Sequence, residues 1–375
     1  GRMSGVPGDP LEGLPFARSR AVETFEELMF GPKRLEELAK AARSETRKNF
    51  GRTMRLFAPL YLSNECVNSC QYCGFSKENP IRRVTLTPEE VELEAKYLAA
   101  EGFRNLLLVS GEHPREVPVS YLAQTVKRTV GLFPSVAIEV APLETAEYRE
   151  IVAAGAEGLV LYQESYDRAA YAEMHVSGPK RNFDERLGGP ERGYAAGFRR
   201  IGLGVLVGLA DWRRELVALA AHVSHMMKVG WRSQITLALP RLRPAAGGFQ
   251  PRVAMSDRDF VRAICAFRIA FPQAGIVLST REPAKLRDGL MELGVTMMSA
   301  GSETDPGGYT GVGKGRLHRT VRGREVALEA GEWEGAEATE QFEVSDGRSA
   351  EELSAVLRSR GLDPVWKDWD RALAE

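Results

Sequence analysis

The sequence predicts an α/β protein built on a parallel (β/α)8 barrel of the TIM type, with a helical extension before the barrel and an irregular and helical extension after it. Three observations point there. Between Arg55 and Ser302, eight short runs rich in Val, Ile and Leu alternate with amphipathic stretches. The span is close to the ~250 residues typical of such barrels. Most of the runs end in polar or glycine-containing segments, and the C-terminal ends of strands are where a barrel of this kind carries its chemistry. A doubly wound open sheet is the second choice.

The eight runs are Leu56–Leu62, Asn105–Val109, Val136–Val140, Gly158–Gln163, Ile201–Leu209, Gln234–Leu239, Ile276–Thr280 and Val295–Ser299. Each is short and apolar enough to be a strand buried on both faces. The stretches between them carry helix-start signals. In Thr87-Pro88-Glu89-Glu90 a capping residue precedes proline at the first helical position and acids in the first turn. Ser256-Asp257 opens Phe260–Phe271 in the same way, and Pro283 begins a further helix. Upstream, residues 1–50 read as a separate helical extension with helices over Glu23–Met29 and Leu35–Arg47, expected to cap the bottom or side of the barrel; the barrel takes 51–302. Residues 303–375 form the last unit. Its 303–345 stretch reads as irregular, with a basic run from Lys314 to Arg324 followed by an acidic run from Glu329 to Glu343, expected as a solvated, self-complementary loop. A short amphipathic helix is expected over 349–360. The aromatic end, Pro364 to Asp370 with Trp366 and Trp369, is expected to pack rather than dangle.

Of the 375 residues, 43% are hydrophobic and 27% charged, as in ordinary globular proteins. The net charge of −1 argues against a dedicated nucleic-acid binder. No apolar run reaches the ~18 residues that cross a bilayer. Few cysteines, three of them clustered, suit a reducing cytoplasm better than a disulfide framework.

Those three, Cys66, Cys70 and Cys73, fall within eight residues; Cys265 is the fourth cysteine of the chain. A structural zinc site normally takes four protein ligands, and neither a second cysteine pair nor a nearby histidine follows in sequence. A redox pair at Cys70 and Cys73 leaves Cys66 without a purpose. Three soft thiolates are one short of the four that usually hold a [4Fe–4S] cube, so a cube held by this triad keeps one iron open to an outside ligand. Cys265, within the helical stretch Phe260–Phe271, reads as a small buried hydrophobe.

The segments at the ends of the runs supply further candidates. Ser110-Gly111-Glu112-His113 offers close backbone approach at Gly111 and a carboxylate at Glu112 suited to an ammonium group, with His113 as a further lining residue. Tyr162-Gln163-Glu164-Ser165 places Glu164 for a diol. Gly202, Gly204 and Gly208 are small enough to lie against a flat ring. Arg186 sits in a helical stretch after the fourth run. Pro240-Arg241-Leu242-Arg243-Pro244, Ser279-Thr280-Arg281-Glu282 and Ser299-Ala300-Gly301-Ser302 end the last three. His222 and His225 read as surface or packing residues.

The spacing C-x3-C-x2-C with Tyr72 before the last cysteine, Pro59 to Asn64 ahead of it, Tyr72-Cys73-Gly74-Phe75 and these strand-end motifs together resemble the aromatic-amino-acid lyase branch of the radical S-adenosylmethionine (SAM) superfamily. Nearly the whole chain beyond residue 45 takes part, and the end from Pro364 to Asp370 resembles the branch's thiamine-pathway tyrosine lyases in particular. The resemblance implies a [4Fe–4S] cluster on Cys66, Cys70 and Cys73, with SAM held near Tyr72 and Gly111. Glu112 then meets the SAM ammonium group, Glu164 its ribose and Arg186 its carboxylate, while Arg281 and Ser299 bind the substrate carboxylate. It implies L-tyrosine as substrate, a thiazole synthase as protein partner, and flavodoxin or ferredoxin as electron donor. The absence of cysteines after Cys265 disfavours relatives that carry a second cluster. A tryptophan lyase, or a non-enzymatic iron–sulfur carrier, remains as an alternative. The charged stretch at about 313–335 is longer than in the form the resemblance rests on.

Overall fold

The fold is that of a computed structural model, which describes residues 8–365. The aromatic end from Trp366 onward lies outside the described residues.

Eight parallel strands run in order around a closed barrel: Thr53–Ser63, Asn105–Ser110, Ser135–Glu139, Gly158–Val160, Arg200–Gly204, Gln234–Ala238, Gly275–Leu278 and Met297–Ser299. The first and last strands pair in parallel register, Arg55 with Met297 and Phe57 with Ser299, and close it. Closure decides between the two sheet architectures, since an open sheet would leave those edges unpaired. Each of the eight apolar runs overlaps one strand. The fifth run is longer than its strand because residues 205–209 continue it only through isolated parallel bridges, Val205 to Glu164 and Val207 to Arg241.

The helix Pro88–Ala100 begins with a full capping box, Thr87 and Glu90 each satisfying the other's backbone N–H. Ser256 caps Asp257–Ala270, and Pro283 is the N-cap of Ala284–Leu290. The N-terminal helices Arg20–Phe30 and Leu35–Phe50 pack on the side of the barrel against Asp257–Ala270. The ring centroids of Phe25 and Phe267 are 4.3 Å apart there. Cys265 is fully buried in that layer.

Beyond Ser302 the chain is more ordered than its composition suggests. His318–Val321 and Arg324–Ala327 form an antiparallel hairpin, and Ala350–Ser359 is a helix with a Ser349–Glu352 capping box. The opposed charges do pair in part: Lys314 with Glu337 and Arg319 with Glu332, while Arg316 reaches back to Glu90. The segment around 339–348 is not a solvated loop. It crosses the barrel mouth and hydrogen-bonds the seventh strand's exit, with the N–H groups of Ser345 and Asp346 donating to the Thr280 carbonyl. Asp363–Val365 then lies parallel beside the start of the first strand.

Candidate active site

A cavity opens at the C-terminal ends of the strands and is lined by residues from every barrel strand or its exit. It gathers Cys66, Cys70, Cys73, Tyr72, Gly111, Glu112, Glu164, Arg186, Arg281 and Ser299, residues scattered over more than 200 positions of sequence. Parallel strands bring their C-terminal ends to one rim whatever their separation in the chain.

The cysteine loop is braced from below and from the side. Arg83 is fully buried, and its guanidinium donates to the carbonyls of Asn64 (2.5 Å), Phe75 (3.0 Å) and Ser76 (2.8 Å). One cation thus staples both ends of the loop that carries the thiols. The hairpin adds a second clasp: His318 Nε2 lies 2.6 Å from Glu65 Oε1, and the Thr320 hydroxyl donates to the same oxygen at 2.7 Å. The four cysteines are free. Burial pushes the Cys70 thiol up to about 12, unlike the depressed thiols of redox pairs. Among the described residues no three His, Cys, Asp or Glu side chains converge as ligands of one ion. The thiols instead face a shared cavity, as a cluster needs when each thiolate binds a different iron.

A network of charges lies next to the cysteines. Tyr72 Oη is 2.9 Å from Glu164 Oε2 and 2.8 Å from His175 Nε2. His175 Nδ1 faces the Tyr171 carbonyl at 2.7 Å, which assigns the ring proton to Nδ1, so that Nε2 and Glu164 share the single proton of the Tyr72 hydroxyl. Burial, with Lys180 close by, holds this histidine down to about 3, so it stays neutral. Lys180 Nζ is 3.3 Å from Glu164 Oε2. Burial alone would raise the Glu164 carboxyl, but the Lys180 and Arg186 cations and the Tyr72 hydroxyl outweigh it and hold it at about 2. Glu164 also takes a left-handed backbone conformation, φ 72°. Arg186 donates from Nε to the Tyr162 carbonyl at 2.7 Å, which leaves the rest of its fork for the cavity. Asn68 Nδ2 donates to Glu112 at 2.5 Å, and a Cβ at Gly111 would come within 2.2 Å of the Glu65 carbonyl, so only glycine fits.

On the opposite side, the guanidinium carbon of Arg281 lies over the Phe342 ring, 3.7 Å from its centroid. The Ser299 hydroxyl accepts the Thr280 N–H at 3.1 Å. Arg241 is turned away, in a bidentate pair with buried Glu282.

Several expectations need correction. His113 does not line the cavity; its Nδ1 accepts the Glu116 N–H at 3.2 Å and shapes the following turn. Gly202 and Gly204 serve packing: a Cβ at 204 would meet the Tyr162 ring at 2.7 Å and at 202 the Thr236 hydroxyl at 3.0 Å. His222 is a packing residue, as expected, bonded to the Tyr166 hydroxyl at 2.6 Å and stacked on Phe16. Sequence reading missed Lys180, His175, Glu139, Gln341 and Phe342. Glu139 had a usable signal, a lone carboxylate among the apolar residues of the third run. Gln341 and Phe342 had none, because the strap that carries them is placed by tertiary contacts alone.

Residues 60–220 match the radical SAM superfamily, and 238–363 match the Biotin and Thiamin Synthesis associated domain. The 2-iminoacetate synthase of Escherichia coli (strain K12) is 39% identical over 340 residues, 90% of this chain and 84% of that protein. The enzyme of the same name from Salmonella typhimurium is 39% identical over 337 residues, 90% of this chain and 83% of that protein. Among solved structures HydG, a maturase of the [FeFe]-hydrogenase, superposes with a TM-score of 0.82 at 31% identity, over 94% of this chain and 78% of that one. Radical SAM proteins use a [4Fe–4S] cluster and S-adenosylmethionine, which fits a triad of thiols opening onto a charged cavity. The cysteines alone reach only the superfamily; identity that continues through the barrel and the strap above its mouth narrows the assignment, and the chain belongs to the 2-iminoacetate synthase family of radical SAM enzymes.

Proposed function

We propose that this protein is a lyase that splits the Cα–Cβ bond of L-tyrosine, giving 2-iminoacetate and p-cresol, with 5′-deoxyadenosine and methionine as the other products. The observation that supports it most is the 39% identity to the 2-iminoacetate synthase of Escherichia coli over 84% of that protein's length. Cys66, Cys70 and Cys73 are the residues that would hold the cluster. When bound, the cluster supplies the electron that cleaves SAM, and the adenosyl fragment is the hydrogen acceptor from the tyrosine amino group.

The chain's own residues bind, orient and shield. The Glu112 carboxylate suits the SAM ammonium group, and Glu164, held ionised by Lys180 and Arg186, suits the ribose hydroxyls. The free part of the Arg186 fork suits the SAM carboxylate. Across the cavity, Arg281 and Ser299 suit the tyrosine carboxylate, with Phe342 fixing the plane of the guanidinium. The 339–348 strap narrows the mouth and limits water. The low-potential electron comes from a flavodoxin or ferredoxin in a reducing cytoplasm. An imine of this kind hydrolyses readily in water, so a thiazole synthase is the natural recipient.

Anaerobic incubation of the cluster-loaded protein with SAM and reductant, with tyrosine and tryptophan in parallel, tests the reading. p-Cresol and 5′-deoxyadenosine from the tyrosine reaction are expected. Cleavage of tryptophan alone, or no 5′-deoxyadenosine from either, overturns it.

A further inference from the structure

The cavity wall holds four carboxylates, Glu112, Glu139, Glu164 and Glu282. Three are engaged: Glu112 by Asn68, Glu164 by Lys180 and Tyr72, and Glu282 by Arg241. Glu139 has no hydrogen bond or ion pair through its side chain among the described residues. It ends the third strand, in register beside Val109 of the second, and the surface it keeps belongs to the cavity. A carboxylate held inside a protein without a partner is costly and favours any cation brought to it.

Arg281 presents the complementary case. Its guanidinium stacks on Phe342 and makes no ion pair among the described residues. The two unpaired charges feel each other across the cavity. An α-amino acid carries one positive and one negative group on a single carbon. Whatever holds its ammonium group must therefore stand near whatever holds its carboxylate, and the other three carboxylates are already committed elsewhere.

We propose that Glu139 receives the ammonium group of the substrate amino acid while Arg281 holds its carboxylate. The inference rests on the reading of the protein as an amino-acid lyase with Arg281 as the carboxylate clamp. It adds the second half of the clamp, which would make the site prefer an amino acid to a phenolic acid.

Several groups face Glu139. Glu164, Lys180 and Arg186 lie on the cofactor side and Arg281 on the other, with the phenols of Tyr61 and Tyr162 nearby. Burial, reinforced by Glu164, pushes the Glu139 carboxyl up to about 7 before substrate arrives. An ammonium group needs the ionised form, so tyrosine affinity should fall as pH drops below about 7, by up to tenfold per unit.

Calorimetric titration of the cluster-loaded protein with SAM, anaerobically and without reductant, tests this. The ligands are L-tyrosine and 3-(4-hydroxyphenyl)propanoate, which lacks only the amino group. The wild type should prefer tyrosine. Glu139→Gln should lose about 30-fold or more in tyrosine affinity, together with its pH dependence, while binding the propanoate almost as before. Glu139→Asp, which keeps the charge, should retain part of the preference. Equal weakening of both ligands, or of neither, overturns the inference, because a merely structural Glu139 would not distinguish them. Failure of the wild type to bind either ligand overturns the lyase reading itself and this inference with it.

Discussion

Apart from Glu139, the charged side chains of the cavity and the thiols beside them are set by specific neighbours. Cys66, Cys70 and Cys73 share a loop fixed at both ends by Arg83, whereas Cys265 sits in apolar packing on the far side of the barrel wall. Replacing any one of the three with alanine should abolish the cluster's visible absorption and SAM cleavage, while Cys265→Ala keeps both. Arg281 lies over Phe342, and in the proposed function its planar guanidinium would offer a fork to the substrate carboxylate. Arg281→Lys keeps the charge and loses that geometry. Losing one hydrogen bond of the fork to a charged group costs roughly 1.5–3 kcal/mol, so p-cresol formation should drop by about 10- to 150-fold. The cluster spectrum should stay unchanged, and loss of the cluster in this variant would instead mark Arg281 as structural. Glu164 illustrates a different cost. A non-glycine residue at φ 72° spends of order 1–3 kcal/mol, kept because Lys180, Tyr72 and the bridge to Val205 fix the carboxylate where it lies.

Between elements, two buried latches carry the load of assembly. Arg287 and Asp346 form an ion pair with side chains 1% and 0% exposed, and Arg287 also donates to the Ser299 carbonyl. This latch ties the strap to the exits of the seventh and eighth strands, where Arg281 and Ser299 stand. Asp346→Ala leaves a buried cation unpaired and should destabilise the fold by about 3–5 kcal/mol, read by urea denaturation. The second latch joins the helix Trp212–Val229 to the loop after the fourth strand through His222 and Tyr166. Burial, with His225 adding to it, holds His222 down to about 3, whereas an unfolded histidine titrates near ~6.5. As pH falls from 6.5 toward 3 the unfolded chain takes up this proton first, and the folded state loses up to about 1.4 kcal/mol per unit. His222→Asn cannot titrate. Its stability deficit at pH 7 should therefore shrink at pH 5.5, and a deficit independent of pH would show that His222 is not buried neutral.

For the whole molecule, closing the barrel brings one triad of thiols, two sets of charged side chains and one strap to the same rim. The chain offers one cluster site, so anaerobic reconstitution should yield about four iron and four sulfide per chain. Eight irons, or a tightly held zinc, would contradict a single cube.

The sequence by itself determined the periodic run of strands and helices, the cap signals at Thr87, Ser256 and Pro283, and the cysteine triad. These are local properties: strand and helix periodicity, capping chemistry and metal-ligand spacing are all written within a dozen residues. The strand-end candidates Glu112, Glu164 and Arg281 followed from one further rule, that parallel strands share a rim. Tertiary structure alone decided what each of them meets. His113 turns into its own loop, Gly204 makes room for Tyr162, and Lys180 and His175 arrive from the connection after the fourth strand, where His175–Ser177 pairs with Ser69–Cys70. The strap was unreadable because its position depends on contacts such as Asp346 with Arg287 and Tyr61 with Gln341, the latter pair 280 residues apart. Burial and charge at a site are sums over neighbours brought together by folding, so the unpaired state of Glu139 becomes visible only once those neighbours are in place.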